Sequence, residues 1–224
     1  MSCALEPVFE LKSYTLIGYR VVRRVLRLAT DLPLPAAEHE RLSRADMERI
    51  DFATIARGLD RLANDGGEAQ HPTLIIPVSF VTLSSQRSRA VLTDLFERAQ
   101  RVVQRGLICE VRDMDGAPQA ALSTALSFIK PYCLFITGQI TAVQASTARN
   151  LKESGLRAIS IDAPPGLDPE AGVYGWMRGA VAASKAAAKP IMIYGLPNPR
   201  AAAMAAALGA THASLRPPET DSGD

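Results

Sequence analysis

The chain has 224 residues, of which 47% are hydrophobic and 21% are charged, so it carries enough apolar material for a large core and too much for a disordered chain. Its formal net charge of +2 gives no basic surplus of the kind that indicates a nucleic-acid partner. No run approaches the roughly 18 apolar residues that a membrane helix needs, and the first residues lack the basic and apolar regions of a signal peptide. We therefore expect a cytoplasmic protein with no nucleic-acid and no membrane partner.

The beginning of the chain is typical of two strands. Residues 8–11 and 15–22 are rich in aliphatic and aromatic side chains, which predicts a strand, a turn and a second strand that runs into a helix. Apolar residues within 38–63 then recur at helical spacing. This pattern predicts a helix after the second strand.

Apolar runs and helix-like stretches alternate over the rest of the chain. The runs lie at 73–78, 107–111, 133–136, 158–161, 190–194 and 212–215, and the helix-like stretches lie near 88–105, 117–129, 143–154, 174–188 and 199–208. Because the runs are almost wholly apolar rather than alternating, they are typical of parallel strands that are covered on both faces. We expect one domain over 1–217 and a polar, disordered tail over 218–224.

Seven short motifs occur in a definite order along the chain. They are EPVFEL at 6–11, IGYRVVRR at 17–24, IPVS at 76–79, CEVRD at 109–113, ISID at 159–162, IYGLP at 193–197 and LGA at 208–210. In this order and at this spacing they resemble the motifs of EAL domains, the family of cyclic di-GMP phosphodiesterases. The resemblance implies an α/β fold, a modified TIM-type (β/α) barrel with an antiparallel first strand.

The resemblance also implies what has become of the active site. EAL domains hold two divalent metals with acidic and amide side chains at the carboxyl ends of the strands, and the metals activate the attacking water. Position by position, the Glu of the Glu-Ala-Leu motif that names the family corresponds to Arg20, its Asn ligand to Pro77 and its catalytic Lys to Ser160. The Glu that the family has before Gly195 corresponds to Tyr194, and a Gln near the end of the domain corresponds to a place near Ser214. The family's Asp-Asp pair falls near 137–140, where no carboxylate is present. Of the metal ligands that the resemblance leads us to expect, one remains, Glu110. We therefore expect no catalytic residue, no metal and no cofactor.

Three residues remain as candidates for a ligand-binding site at the barrel mouth: Arg20, Arg24 and Glu110. Glu110 is interpreted as the partner of Arg20 or of another arginine in an ion pair that replaces the metals, or else as a remnant metal ligand. Arg20 and Arg24 belong to a set with Arg23 and Arg27 at i, i+3, i+4 and i+7, one face of a helix if the segment is helical. That face is either an anion or partner site, with Arg24 at a family ligand position, or a solvated basic face, which is favoured for Arg23 and Arg27.

Three aspartates have simpler interpretations. Asp113 and Asp115, which are followed by Gly116, are typical of a turn and a helix cap. Asp162 survives from the Lys-Ile-Asp motif of the family that the sequence resembles, but because it precedes Ala-Pro-Pro-Gly it is also explained as a turn residue. None of them is expected to hold a metal.

Three functions follow from the resemblance. The first is a catalytically inactive EAL-like signalling domain that acts through a protein partner, with a homodimer implied because EAL domains often pair. The alternative is a receptor that binds cyclic di-GMP, weakly, without cutting it. The third is an active phosphodiesterase, which the replaced ligands disfavour.

Overall fold

A computed structural model describes residues 1–27, 30, 32–39, 41–65, 73–103, 106–140, 151, 154–164, 171–185 and 190–216. Within these residues, eight strands form a closed barrel in chain order. The strands are β1 Ser2–Glu10, β2 Thr15–Arg24, β3 Thr73–Ser79, β4 Leu107–Arg112, β5 Phe135–Gln139, β6 Ala158–Asp162, β7 Ile191–Leu196 and β8 His212–Leu215.

The described helices are α1 Ala36–His39, α2 Arg44–Asp65, α3 Phe80–Leu83, α4 Ser88–Val102, α5 Gln119–Ile129, α6 Ala171–Ser184 and α7 Pro199–Leu208, and a 3₁₀ turn at Lys130–Tyr132 follows α5. None of these helices is both long and apolar enough to cross a bilayer.

The first strand runs against both of its neighbours. β1 is antiparallel to β2 and to β8, whereas every other neighbouring pair, from β2–β3 to β7–β8, is parallel. The predicted α/β barrel with an antiparallel first strand is therefore confirmed. Because β1 is reversed, its amino-terminal half lies at the same end of the barrel as the carboxyl ends of the parallel strands.

Several predicted boundaries differ from the observed ones. β2 continues to Arg24 instead of passing into a helix, because β1 pairs with it as far as Ser2. β5 runs over Phe135–Gln139 rather than 133–136, since Gly138 and Gln139 pair with β6 although neither is strongly apolar. The predicted helix at 143–154 falls almost wholly outside the described residues, and the tail at 218–224 lies outside them, so the tail's disorder stays a prediction.

Side-chain alternation along each strand divides the core into two parts. On β2, β4 and β6, alternate positions such as Val21, Cys109 and Ile159 point away from the barrel and belong to the core shared with the helices. On α2, Ile55, Leu59 and Leu62 follow the i, i+4, i+7 spacing that faces the sheet, and all three are buried. Burial of each such side chain contributes about 1.5–3 kcal/mol.

The opposite positions fill the barrel lumen. Its lower layer is apolar and consists of Val8, Ile75, Ile108, Ala158 and Met192, and the ring of Tyr194 packs against it from the next layer. Barrels of eight strands are filled by such layers of side chains rather than open as pores. This apolar floor leaves the next layer up, at the carboxyl ends of the parallel strands, as the place where a site forms.

Candidate functional site

A polar layer lies directly above the apolar floor. We call it the lumen cluster, and its members are Glu6, Arg20, Glu110, Ser160, Asp162, Tyr194 and Ser214. The barrel register brings them together, because Glu6 lies opposite Arg20 on β1 and β2 and Asp162 lies opposite Tyr194 on β6 and β7. Apart from Asp162, all of these residues are buried.

The Arg20 guanidinium occupies the centre of the lumen cluster. Its Nη2 and Nε donate to Glu110 Oε2 at 2.9 and 3.2 Å. Its Nη1 donates to Asp162 Oδ1 at 2.7 Å and lies 3.7 Å from Glu6 Oε2. Its Cζ lies 4.0 Å from the centre of the Tyr194 ring, in cation–π contact. The predicted contact between Arg20 and Glu110 is therefore present, but it is one part of a larger network.

Each carboxylate of the lumen cluster has a second polar partner. Ser160 Oγ donates to Glu110 Oε1 at 2.7 Å, and Ser214 Oγ donates to Glu6 Oε1. Asp162 Oδ2 accepts from Gln139 Nε2 and, at 3.1 Å, from Arg112 Nη2. Buried charges are stable only when they are paired and hydrogen-bonded, and this network satisfies that condition for all three acids.

The charges of the network do not cancel. Three carboxylates face two guanidinium groups, those of Arg20 and Arg112. Burial raises the pKa of Glu6 above its ordinary value, although Ser214 and Arg20 oppose the effect. Burial also acts to raise the pKa of Asp162, but Arg20 and Arg112 outweigh it and lower that pKa. Burial therefore favours the protonated form of Glu6, whereas the two arginines favour the ionised form of Asp162.

The residues present do not fit a divalent metal pair. The described residues contain no group of three His, Cys, Asp or Glu side chains that is placed to hold a metal ion. Glu6, Glu110 and Asp162 do converge, but the guanidinium of Arg20 lies between them. Burial acts to lower the pKa of Arg20, but Glu110 and Asp162 outweigh it and hold that pKa well above its ordinary value. Arg20 therefore stays charged and would repel a metal cation placed there. On β3, Pro77 lies in register with Glu110 and offers no side-chain oxygen.

A basic cleft opens above the lumen cluster. A cavity of about 350 Å³ is lined by Arg20, Asp162, Arg24, Arg112 and Arg216, among others. A second cavity of about 530 Å³ shares Arg24 and Arg112 with the first. We call the two together the mouth cleft. Arg24 is exposed at the end of β2, where its side chain has no hydrogen-bond or ion-pair partner among the described residues.

Two interpretations of the arginine set are wrong. Residues 20–24 form a strand, so Arg23 points away from Arg20 and Arg24 rather than sharing a helical face with them. Instead of being solvated, the Arg23 side chain is only 5% exposed and forms an ion pair with Asp51 of α2. Arg27 does lie in solvent, where it pairs with Glu38.

The aspartates also differ in part from expectation. Asp162 is not simply a turn residue, because its carboxylate joins Arg20 to Arg112. Asp115 and Gly116 do form a turn, but the residue that precedes α5 is Pro118 and no side chain caps that helix. Sequence reasoning missed Glu6, Arg112 and Gln139 altogether. A usable signal exists for Glu6 and Arg112, since both lie at inward positions of apolar strands.

Comparison with known proteins gives a fold but no close relative. No protein-family model matches the chain, and no curated protein matches it. Among solved structures, 67 chains match. One is the FimX EAL domain from Pseudomonas aeruginosa bound to c-di-GMP, with 16% identity, a TM-score of 0.69, and coverage of 96% of this chain and 87% of that one.

Two further matches are longer proteins. A manganese and cyclic di-GMP complex of BlrP1 from Klebsiella pneumoniae has 13% identity and a TM-score of 0.67, and the match covers 96% of this chain and 54% of that one. The EAL enzyme Bd1971, in a form bound to cAMP and cyclic di-GMP, has 18% identity and a TM-score of 0.65 over 96% of this chain and 60% of its own. The chain thus spans little more than half the length of these two proteins. At such identities the likeness shows the fold, which is that of EAL domains.

Proposed function

We propose that this chain, which has the fold of EAL domains, is a catalytically inactive signalling domain that acts by binding a protein partner. The observation that supports the proposal is the position of Arg20, whose guanidinium is held by Glu6, Glu110 and Asp162. In EAL domains, which this sequence resembles, the metals bind at these strand ends.

The loss of hydrolysis follows from the chemistry of the remaining groups. Hydrolysis with two metals needs several oxygen ligands to offset the charge of the ions and to lower the pKa of the attacking water. Glu110, the surviving ligand position, already accepts from Arg20 and Ser160. Ser160 also stands where the family has its lysine. Each of the three carboxylates of the lumen cluster already accepts a hydrogen bond from a protein donor.

A turnover assay tests the catalytic part of the proposal. Purified protein is incubated with cyclic di-GMP and millimolar Mg²⁺ or Mn²⁺, beside a no-enzyme control and an active cyclic di-GMP phosphodiesterase as a positive control. We expect no linear dinucleotide above the no-enzyme control. Product that depends on the metal and on added protein would overturn the proposal.

Affinity capture tests the partner-binding part. The immobilised domain is exposed to extract from its source cells, the retained proteins are identified by mass spectrometry, and each is then used as bait in the reverse direction. We expect at least one protein to be captured in both directions and to bind the purified domain directly. If no protein passes the reverse capture and direct binding, the partner hypothesis is wrong.

A receptor for cyclic di-GMP is the second candidate, and the mouth cleft favours it. Arg24 lines that cleft without a partner among the described residues. A charge-assisted guanidinium–phosphate contact contributes about 1.5–3 kcal/mol, whereas micromolar affinity needs about 8 kcal/mol. We therefore expect binding weaker than about 10 µM. Calorimetry at low salt would establish the receptor instead if it detected a sub-micromolar site that Arg24→Ala abolishes.

A further inference from the structure

We propose that Asp162 is an internal competitor that keeps the arginines of the mouth cleft from binding a phosphate group. The inference deepens the receptor candidate and depends on the barrel mouth being a binding site rather than a catalytic one. It assigns Arg112, together with Arg24 of the same cleft, as an anion site that the protein's own carboxylate occupies.

The geometry of Asp162 is that of a bridging anion. Its Oδ1 accepts from Arg20 Nη1 at 2.7 Å, and its Oδ2 accepts from Arg112 Nη2 at 3.1 Å. The side chain of Asp162 is 41% exposed, whereas those of Glu6 and Glu110 are 10% and 0% exposed. Glu6 also lines the mouth cleft, but Asp162 is the more exposed of the two acids and lies at the point where an incoming anion would meet the guanidinium groups of Arg20 and Arg112.

The two arginines depend on Asp162 to different degrees. Arg20 keeps two hydrogen bonds to Glu110 and the proximity of Glu6 if Asp162 is removed. Arg112 has no other carboxylate among the described residues and keeps only its 2.6 Å hydrogen bond to the neutral amide oxygen of Gln139. Loss of the Asp162 charge therefore releases Arg112 and leaves Arg20 in place.

A released Arg112 has a suitable neighbour. Arg24 lines the same two cavities as Arg112, so two guanidinium groups face one cleft. A phosphate group offers them several charged oxygens in the fork geometry that arginine prefers. With Asp162 ionised, the phosphate must either displace that carboxylate or lie beside it, and repulsion between like charges is strong in a partly buried site.

The decisive variant is Asp162→Asn, which keeps the shape of the side chain and removes its charge. Binding of inorganic pyrophosphate is measured by calorimetry at low salt. We expect the variant to bind pyrophosphate at least tenfold more tightly than the wild type. Asp113→Asn is the matched control, because it makes the same change in net charge in a residue that lines the mouth cleft but forms no hydrogen bond or ion pair with Arg20 or Arg112.

A double variant tests whether Arg112 is responsible for the gain in pyrophosphate affinity. Adding Arg112→Gln to Asp162→Asn should return the affinity for pyrophosphate to the wild-type level. The proposal is overturned if Asp162→Asn gives no gain, if Asp113→Asn gives an equal gain, or if the double variant keeps it. Thermal unfolding confirms that each variant is folded, and Asp162→Ser replaces the asparagine variant if that one is not.

The outcome is separable from that of the proposed function. Pyrophosphate contains no base, so its binding does not depend on recognition of cyclic di-GMP or of a protein partner. A chain that hydrolyses cyclic di-GMP would contradict the proposed function whatever its affinity for pyrophosphate. A chain that fails to gain pyrophosphate affinity would contradict only the role of Asp162.

Discussion

Arg20 is the residue on which the electrostatics of the barrel mouth depend. Replacement by alanine leaves Glu110, which is fully buried, without its guanidinium partner. Removal of one partner of a buried ion pair costs about 3–5 kcal/mol. We therefore expect Arg20→Ala to lower the free energy of unfolding in urea by about that amount, whereas Arg24→Ala, at an exposed position, should change it by about 0.5 kcal/mol or less. Equal effects of the two substitutions would show that Arg20 is not held as described.

Glu6 gives the network a dependence on pH whose direction is fixed by its burial. Burial raises the pKa of Glu6 in the folded protein above the ordinary value of 4.5. Between the ordinary pKa, which applies to the unfolded chain, and the higher pKa of the folded protein, the folded state binds more protons than the unfolded state. The free energy of unfolding therefore falls as the pH rises through that window. Because the pKa of Asp162 is lowered from its ordinary value of 3.8, its titration changes the stability below that pH and therefore outside the window.

The variant Glu6→Gln isolates this effect, because glutamine keeps the polar contact to Ser214 and does not titrate. We expect the stability of the wild type relative to Glu6→Gln to fall as the pH rises from 4.5 and then to level off above the folded-state pKa. Urea unfolding of both proteins across pH 4.5–8 measures the difference. A difference that is flat or that grows with pH would contradict the raised pKa.

Part of the lumen cluster could be predicted from the sequence. The ion pair between Arg20 and Glu110 was one of the pairings predicted, because the two family motifs place both residues at the barrel mouth. Glu6, Arg112 and Gln139 were missed because their roles depend on which strand faces which across a closed barrel. The alternation of side chains along a strand predicts that Glu6 and Arg112 face the lumen. This signal becomes informative only once β2 is recognised as a strand that continues to Arg24.

At the scale of elements, one buried ion pair fastens the barrel to its helices. Asp51 of α2 pairs with Arg23 of β2, accepts from the backbone N–H of Ser79 at 2.9 Å, and accepts from Thr82 Oγ1 at 2.6 Å. The same carboxylate thus holds the ends of two strands and the start of α3. From the sequence, Arg23 was interpreted as solvated because an arginine in an amphipathic pattern is usually exposed. Nothing in the local sequence identifies a partner 28 residues away.

This contact makes a second matched pair of variants. Arg23→Ala should cost about 3 kcal/mol, the lower part of the range for a buried pair, since Asp51 keeps its bonds to Ser79 and Thr82. Arg27→Ala breaks the pair with Glu38, whose two side chains are 41% and 43% exposed, and should cost about 1 kcal/mol or less. Chemical denaturation of both variants provides the comparison. The assignment fails if Arg27→Ala is the more damaging change.

At the scale of the whole molecule, the order of the elements was the most predictable feature. His212–Leu215 and Pro199–Leu208 have the predicted bounds, because apolar runs and alanine-rich helical stretches respond to local chemistry. The end of β5 was placed too early since Gly138 and Gln139 join the sheet through pairing with β6 rather than through their own preference for strands. Closure of the barrel, reversal of β1 included, came from the resemblance and not from periodicity.

The central claim is that a guanidinium takes the place of the metals at the barrel mouth. Titration of Mn²⁺ with the purified protein, followed by electron paramagnetic resonance of the free ion, tests that claim most directly, with Glu110→Gln as the reference variant. Because Arg20 faces any cation that enters between the three carboxylates, we expect no Mn²⁺ site tighter than about 1 mM and the same titration for both proteins. Stoichiometric Mn²⁺ binding below that concentration, lost in Glu110→Gln, would contradict the claim.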